Sequence, residues 1–389
     1  MAYVKKKPLS NEDKNDLINK YKEEVDKFTL SVADKILDIV TSDEISGNMP
    51  MWEHPVFNKF YMNPETKTKF NMENSIILYF VIKEHGYKHP LFITAKQGFD
   101  NGMSMEKGTT GHYIVQRFGM KMHPLSEVDE SGKPKKDANG KPIYKRNEEG
   151  EIQYLYKRCE KLVKMFNIDQ FTGPIPDKWL KYMQGNTETL SNEEDLQKLK
   201  NVVFKSIEPK VVRHLSKDNF YIPNSDFIYL SEEHMFRNTL SELSTTFHEW
   251  SHSTGHKSRL NRQSLYDYST DKSIRGYEEL VANFSARRLC NFYNMESSEL
   301  TESFNNNHDT YDAGWAAHAF KGGAEQIFKA AVDADRAFNR IRMAIEPNLK
   351  LDASLKNFLL NKIESDEVED EKPKEETKTT KKFSQKRSI

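Results

Sequence analysis

Residues 248–256 read His-Glu-Trp-Ser-His-Ser-Thr-Gly-His. His248 and His252 are four positions apart, so on a helix both imidazoles lie on one face, one turn from each other. Two such nitrogens can bind one Zn²⁺, and Glu249 beside them is placed to accept a proton from water at the metal. The stretch therefore predicts a metal-binding helix, and this helix decides which fold we expect for the second half of the chain.

The residues around this stretch favour a real helix with one buried face. Gly255 supplies a helix stop, and cations follow at Lys257 and Arg259, where the helix dipole favours positive charge. A three-four spacing of residues predicts a buried face next to the histidines; the apolar residues on it are Leu240, Leu243, Phe247 and Trp250, and Thr254 continues the spacing.

A catalytic zinc needs a third protein ligand and an open position for water. The run 277–283 can supply the ligand from a second helix, and we favour Glu279, with Asn283 one turn on as a hydrogen-bond partner of a ligating histidine. Glu278 is the alternative, because the rotation of a helix cannot be fixed from sequence.

Other metal-site patterns fit less well. A third histidine six residues after His252 would complete a different site, but Ser258 stands there. We expect His256 to lie at the helix end or beside the site rather than to bind the metal. It remains, with Tyr277, a candidate donor to the oxyanion of a peptidase reaction.

Length and composition bound the class of protein. A chain of 389 residues predicts two domains, and a 30% charged and 37% hydrophobic composition predicts a polar protein of the cytoplasm with no membrane partner. Cys159 and Cys290 have no metal-site spacing and are predicted to be reduced core thiols. The formal net charge of −1 means that affinity for nucleic acid must come from local patches.

The chain order predicts an α+β protein of two domains. Residues 1–170 form a mixed α/β domain, 171–200 a connection, 201–363 a mostly helical domain with a small sheet, and 364–389 a disordered charged tail. We detect no internal repeat, and the polar stretch 126–151, with an Asn-Gly turn at 139–140, predicts an exposed excursion.

Within these domains several elements are predicted. An amphipathic helix spans 12–40, 75–83 is a helix or a buried strand, and 91–94 and 113–118 are strands. In the second domain a hairpin, with strands at 220–222 and 227–230, precedes the metal-binding helix.

A weak nucleic-acid signal lies in the first domain. Residues 50–121 contain nine basic and six acidic residues interleaved with aromatic rings, and single strands are bound by such mixtures of cations and rings. Five residues lie in turn-like or motif-bearing stretches and are the candidates for DNA binding: Trp52, Lys67, Lys69, Lys96 and Lys107.

Several separated motifs resemble the ArdC-type antirestriction proteins. The second-half motifs are 221–226 (Tyr-Ile-Pro-Asn-Ser-Asp), 246–249 (Thr-Phe-His-Glu), 254–262 (Thr-Gly-His-Lys-Ser-Arg-Leu-Asn-Arg), 278–282 (Glu-Glu-Leu-Val-Ala) and Trp315 followed by 327–331. In the first half, 63–64 (Asn-Pro), 86–87 (Gly-Tyr), 92–97 (Phe-Ile-Thr-Ala-Lys-Gln), 106–109 (Glu-Lys-Gly-Thr) and 166–170 (Phe-Asn-Ile-Asp-Gln) stand in the family's order. The resemblance covers roughly residues 12–345 and excludes the tail and the 126–151 excursion.

The resemblance implies a domain that binds single-stranded DNA joined to a zinc metallopeptidase-like domain of the zincin type. It also implies a plasmid or phage setting in a bacterial host, where the protein shields incoming DNA from restriction. In zincins a sheet edge beside the site holds the substrate backbone, and the strand 227–230 is our candidate. The sequence departs from the family at Thr66-Lys67, at Met72-Glu73 and at Asn283, which leaves the proposed ligands intact.

Two functions compete at this point. In the first, a peptidase acts on a restriction–modification enzyme or another protein, with Zn²⁺ on His248, His252 and Glu279 and with Glu249 as general base. In the second, the protein is a DNA-binding shield whose zinc site is structural or vestigial. A nuclease or primase accessory is disfavoured, because we find no paired-carboxylate motif typical of two-metal phosphoryl chemistry.

Overall fold

The computed structural model describes residues 9–46, 61–183, 192–295, 323 and 325–351. Trp52, Trp315 and the predicted tail 364–389 lie outside the described residues. The helices are α1 (Asn11–Ser46), α2 (Met72–His85), α3 (Ala95–Asp100), α4 (Asp177–Met183), α5 (Glu193–Ser206), α6 (Thr239–Ser253), α7 (Gln263–Tyr266), α8 (Lys272–Phe292) and α9 (Gln326–Leu351). The strands are β1 (Met62–Asn63), β2 (Thr68–Lys69), β3 (Phe92–Ile93), β4 (His112–Pro124), β5 (Tyr154–Asn167), β6 (Lys210–His214), β7 (Phe220–Ile222) and β8 (Phe227–Ser231). This mixture of helices and small sheets confirms the α+β prediction.

Helix α2 resolves the alternative left open for 75–83. The Asn71 side chain accepts a hydrogen bond from the Asn74 N–H at its start, and Gly86 ends it in the left-handed conformation, with φ of 68°. Its residues are buried on nearly every side. A helix buried all round has no apolar stripe, which is why periodicity could not distinguish it from a buried strand.

The sheet beside the predicted metal-binding helix has the order β6-β8-β7. Strand β8 pairs in parallel with β6 and antiparallel with β7, so it is the central strand. Our assignment of 227–230 as the substrate-holding edge is therefore wrong, because both sides of that backbone are already paired. Strand β7 is an edge of this sheet instead, and it packs against α6.

The chain divides into two compact units. The first unit includes residues 9–24 and 116–161, and the second includes 25–115 and the described residues from 162 onward. The predicted connection 171–200 holds α4 and the start of α5, and within it Trp179 is fully buried and donates from Nε1 to Glu65 Oε2 at 3.2 Å. The predicted domain boundaries at 170 and 200 stay predictions.

The polar excursion 126–151 lies in the first unit and repeats one turn three times. Asp129, Asp137 and Asn147 each accept a hydrogen bond with a side-chain oxygen from the backbone N–H four residues on, at 2.7–3.0 Å. A glycine with positive φ closes each turn, at Gly132, Gly140 and Gly150. We expected no internal repeat, and this was wrong. The same side-chain to backbone hydrogen bond recurs in three turns, and unequal spacing in the sequence hides the repeat.

A partly buried carboxylate on α9 joins three helices of the second unit. Asp335 accepts from the backbone N–H of Met72, at the start of α2, at 3.1 and 3.0 Å, and it also pairs with Arg288 of α8. The Arg288 side chain is only 8% exposed. Asp335 therefore neutralises a buried guanidinium and caps a helix start at once.

We expect Asp335→Ala to lower the free energy of unfolding by about 3–5 kcal/mol, because it leaves the Arg288 charge buried without its partner. Denaturant unfolding monitored by circular dichroism measures this effect. The matched control is Arg336→Ala on the same helix, which removes an ion pair with Asp333 from a side chain that is 51% exposed. Equal losses in the two variants would contradict this role of Asp335.

Candidate metal centre

Helix α6 places the two predicted histidine ligands side by side. Asn238 caps its first turn, and its apolar face is buried in a core formed with α5, α8 and α9. His248 Nε2 and His252 Nε2 are 3.1 Å apart, and both side chains are nearly buried. The spacing in the sequence thus produces the expected pair of nitrogens on one helix face.

Helix α8 brings Glu279 to this pair. Glu279 Oε2 lies 3.4 Å from His248 Nε2 and 3.8 Å from His252 Nε2. A tetrahedral zinc with bonds near 2.05 Å would separate its ligand atoms by about 3.3 Å. The triangle of 3.1, 3.4 and 3.8 Å therefore has the size that a small divalent cation needs. Among the described residues, His248, His252 and Glu279 are the one group of three or more such side chains able to hold a metal ion.

Glu278, our alternative ligand, points to other partners. Its carboxylate accepts from Arg262 Nη2 at 2.5 Å, from Arg262 Nε at 3.2 Å and from Ser264 Oγ at 2.6 Å. It also lies 3.4 Å from His252 Nδ1, the ring nitrogen that faces away from His248. Glu278 therefore orients His252, and it performs the function that we had expected of Asn283.

Two arginines fasten the loop after α6 to the site. Arg262 donates to the Ser251 carbonyl at 3.0 Å and to Thr254 Oγ1 at 2.6 Å, and Arg259 donates to the Ser253 carbonyl at 2.7 Å. These bonds link both guanidinium groups to the C-terminal turn of α6. Arg259 also donates to Asp226 Oδ2 at 3.0 Å, which ties the loop to the β7–β8 turn.

The candidate general base, Glu249, is a buried residue of α6 near β7. Burial raises the pKa of its carboxyl group, and a hydrogen bond from the backbone N–H of Tyr221 opposes this shift. A carboxyl group with a raised pKa is better suited to proton exchange than one with the ordinary value.

The charges of the neighbouring groups favour a cation. Burial raises the pKa of Glu278, but Arg262 and His252 outweigh it and bring the pKa down to about 2. Burial likewise opposes ionisation of Glu279, yet bonds to both histidines hold its pKa well below the usual value. For His252, burial lowers the pKa, and the bonds to Glu278 and Glu279 raise it to about 10. Both carboxylates are therefore ionised at neutral pH.

One residue at the centre was missed by sequence analysis. The Tyr268 hydroxyl donates to Glu279 Oε1, the carboxylate oxygen that is not in the triangle. The two residues that we had considered as oxyanion donors have other partners: Tyr277 donates to Asp333 Oδ2 at 2.9 Å, and His256 Nδ1 lies 2.8 Å from Ser258 Oγ. No motif distinguishes Tyr268, because it lies in an irregular loop between α7 and α8.

The structure places four of the five candidate DNA-binding residues. Lys67, Lys96 and Lys107 are exposed, and Lys96 pairs with Asp100 on its own helix. Lys69 is half-buried, with its Nζ 5.8 Å from the centroid of the Phe292 ring. Two of the four cations are thus partly engaged by the protein.

The described helices include none long and apolar enough to cross a membrane.

Two family models match the chain in sequence order. The N-terminal domain of the anti-restriction factor ArdC matches residues 26–166, and a zincin-like metallopeptidase domain matches residues 201–333. The second match contains His248, His252 and Glu279.

Whole-chain comparisons agree with this arrangement. Two proteins called DNA primase TraC from Escherichia coli are each 26% identical to 79% and 78% of this chain, which spans only 26% and 19% of their length. The crystal structures of the antirestriction ArdC protein from the R388 plasmid, metal-free and Mn(II)-bound, have TM-scores of 0.52 and 0.53 at 21% identity. They cover 82% and 80% of this chain and 98% and 97% of their own.

The resemblance noted in the sequence is thereby confirmed. With both matches in this order, the chain is an ArdC-like two-domain protein, in which a region similar to the ArdC N-terminal domain precedes a zincin-like metallopeptidase domain.

Proposed function

We propose that this protein is an antirestriction factor of a plasmid or phage that binds single-stranded DNA and cleaves a protein at a divalent metal centre. The observation that carries the proposal is the buried triangle of His248, His252 and Glu279 with Glu249 beside it. The match to the ArdC N-terminal domain supports the DNA-binding part. The proposed place of action is the cytoplasm of the bacterial host.

The proposed cation is Zn²⁺, held by His248 Nε2, His252 Nε2 and Glu279 Oε2. When bound, it would polarise a peptide carbonyl and lower the pKa of a water molecule. Glu249 accepts the proton of the attacking water and delivers it to the leaving amine. Glu278 and Tyr268 hold His252 and Glu279 in orientation through the hydrogen bonds described above.

The proposed substrate is an extended peptide segment lying beside β7. This strand is an edge of its sheet, and its Tyr221 backbone bonds Glu249 directly, so a segment paired there would run past the general base. A subunit of a restriction–modification enzyme is the substrate that the antirestriction setting suggests.

The second candidate function is a non-catalytic shield. In that case the protein protects DNA by coating single strands, and the metal centre only stabilises the fold. The burial of the whole triangle favours this alternative, because a structural site has no need of access for a substrate.

Measurements of metal affinity distinguish the proposed roles of Glu278 and Glu279. We expect Glu279→Ala to lose stoichiometric zinc and Glu278→Gln to retain it with an affinity about 10–100-fold weaker, because Glu278 acts only through His252. Elemental analysis and a competition titration with a chromogenic chelator measure both. Unaltered zinc affinity in Glu279→Ala would exclude it as a ligand. Thermal unfolding in excess chelator, which should differ little between wild type and Glu279→Ala, serves as the folding control.

Glu249→Gln tests the reaction itself. We expect this variant to retain zinc and to lose all proteolysis of a purified restriction subunit, because the amide cannot accept a proton. The control is Glu232→Gln, which lies outside the site. Protection of transferred DNA from restriction is measured in parallel in cells. Equal protection by wild type and Glu249→Gln would reject the peptidase as the basis of function and favour the shield.

The proposed DNA-binding lysines are tested by salt dependence. Replacing Lys67, Lys96 and Lys107 together by alanine should reduce the slope of log affinity against log salt by about 2, because each phosphate contact on a single strand contributes about 0.7. Fluorescence anisotropy with a labelled oligonucleotide measures it. The control removes three exposed lysines of the zincin-like half, Lys217, Lys257 and Lys350. An unchanged slope in the first triple variant would exclude these residues.

A further inference from the structure

The first compact unit contains a two-stranded ribbon, formed by the distal part of β4 (116–124) and the proximal part of β5 (154–161). Because alternate residues of a strand face the same side, each strand presents one row of side chains on each face. One face, which we call the ribbon face, is formed by Arg117, Gly119, Lys121 and His123 of β4 and by Tyr154, Tyr156, Arg158 and Glu160 of β5.

Three contacts show that these two rows share a face. Arg117 Nε donates to Glu160 Oε2 at 3.1 Å, and Lys121 Nζ lies 3.7 Å from the centroid of the Tyr154 ring. Between them, the Tyr156 ring lies so close to Gly119 that a Cβ atom added there would meet it at 3.4 Å. The absence of a side chain at 119 allows the Tyr156 ring to lie against the strand.

The opposite face of the ribbon is covered by the first part of α1. Lys157 Nζ donates to Asn15 Oδ1 at 2.8 Å, and Lys14 Nζ donates to the carbonyls of Lys121 and Met122 at 2.8 and 3.1 Å. Met122 is buried there. The ribbon face is thus the side that α1 leaves open.

The ribbon face combines rings with positive charge. Tyr156 is 42% exposed, and Lys121, His123 and Arg158 are exposed as well. Residues 116–125 and 153–161 hold five Lys or Arg against one acid, Glu160, which is already paired with Arg117. Arg158 has no acidic partner in the part of the chain that the structure describes. A partner that carries both negative charges and aromatic rings would match such a surface.

We propose that the ribbon face binds single-stranded DNA, with an unpaired base stacked on Tyr156 and phosphates on Lys121 and Arg158. This inference rests on the proposed single-strand binding and adds the ribbon face as a second contact surface to the Lys67, Lys96 and Lys107 set. An open ring between cations suits a single strand, because every unpaired base offers a face for stacking, whereas a duplex keeps its bases stacked on one another.

The experiment uses the full-length protein and a fluorescein-labelled 15-nucleotide dT oligonucleotide, followed by anisotropy. We expect Tyr156→Phe to bind as wild type and Tyr156→Leu to bind about tenfold more weakly, because stacking needs the ring and not the hydroxyl group. Lys121→Ala with Arg158→Ala should reduce the salt slope by about 1.4. The matched control, Lys20→Ala with Lys22→Ala, removes the same charge from the exposed side of α1 and should leave affinity and slope unchanged.

The outcomes distinguish this assignment from the proposed function. Equal binding by Tyr156→Leu and wild type would overturn the ribbon assignment and leave single-strand binding intact. No binding by wild type would overturn both. A weakened Tyr156→Leu with an unchanged melting temperature supports the assignment, and an equal loss of affinity for a duplex of mixed sequence would overturn it, because stacking on Tyr156 should not contribute there.

Discussion

The candidate metal centre depends on one buried carboxylate, that of Glu278. It has no exposure to solvent, and it balances the Arg262 guanidinium while lying beside His252 Nδ1. Arg262 in turn bonds the end of α6, so a single ion pair joins the helix of the histidines, the loop after it and the helix of Glu279. A buried ion pair of this kind adds little net free energy to folding, because both charges lose their hydration. Its benefit is orientation: the ring of His252 cannot rotate without breaking a bond to a buried charge.

The sequence predicted the parts of this centre that are local in the chain. The four-residue spacing of His248 and His252 specifies their shared face, whatever surrounds the helix. The choice between Glu278 and Glu279 could not be made in the same way, because adjacent residues on a helix point about 100° apart. Only packing decides which of the two carboxylates reaches the Nε2 atoms of both histidines. The central position of β8 was equally out of reach, since it depends on a parallel pairing with β6 across an intervening hairpin strand. Tyr268 was missed because a loop position has no periodic pattern.

The difference between features that are local in the chain and features set by packing also explains which other parts of the fold were predicted. The hairpin of β7 and β8 follows from turn residues and was predicted nearly to its ends, whereas α1 runs six residues past its predicted end at 40. The triple turn of the excursion was overlooked because its three turns begin eight and ten residues apart and differ in sequence. The first residue of each turn is Asp or Asn, and the residue after the glycine is Lys or Glu. The ribbon face follows from strand alternation once the partners are known, but the register of two strands separated by some thirty residues is set by their contacts.

The architecture also argues that the metal centre and the N-terminal half are not independent. Helix α8 points Glu278 and Glu279 toward α6, while Leu280, Val281 and Phe284 pack into a core that includes Ile76, Ile77 and Phe80 of α2. Asp335 adds a second link, since it binds Arg288 of α8 and the start of α2 at once. The helix that presents the third candidate ligand is therefore held on one side by the zincin-like core and on the other by the ArdC N-terminal sequence. Close packing transmits displacements, so a shift of α2 would move Glu279 relative to the histidines. A metal centre held by both halves provides a physical route by which events in one half can affect the other.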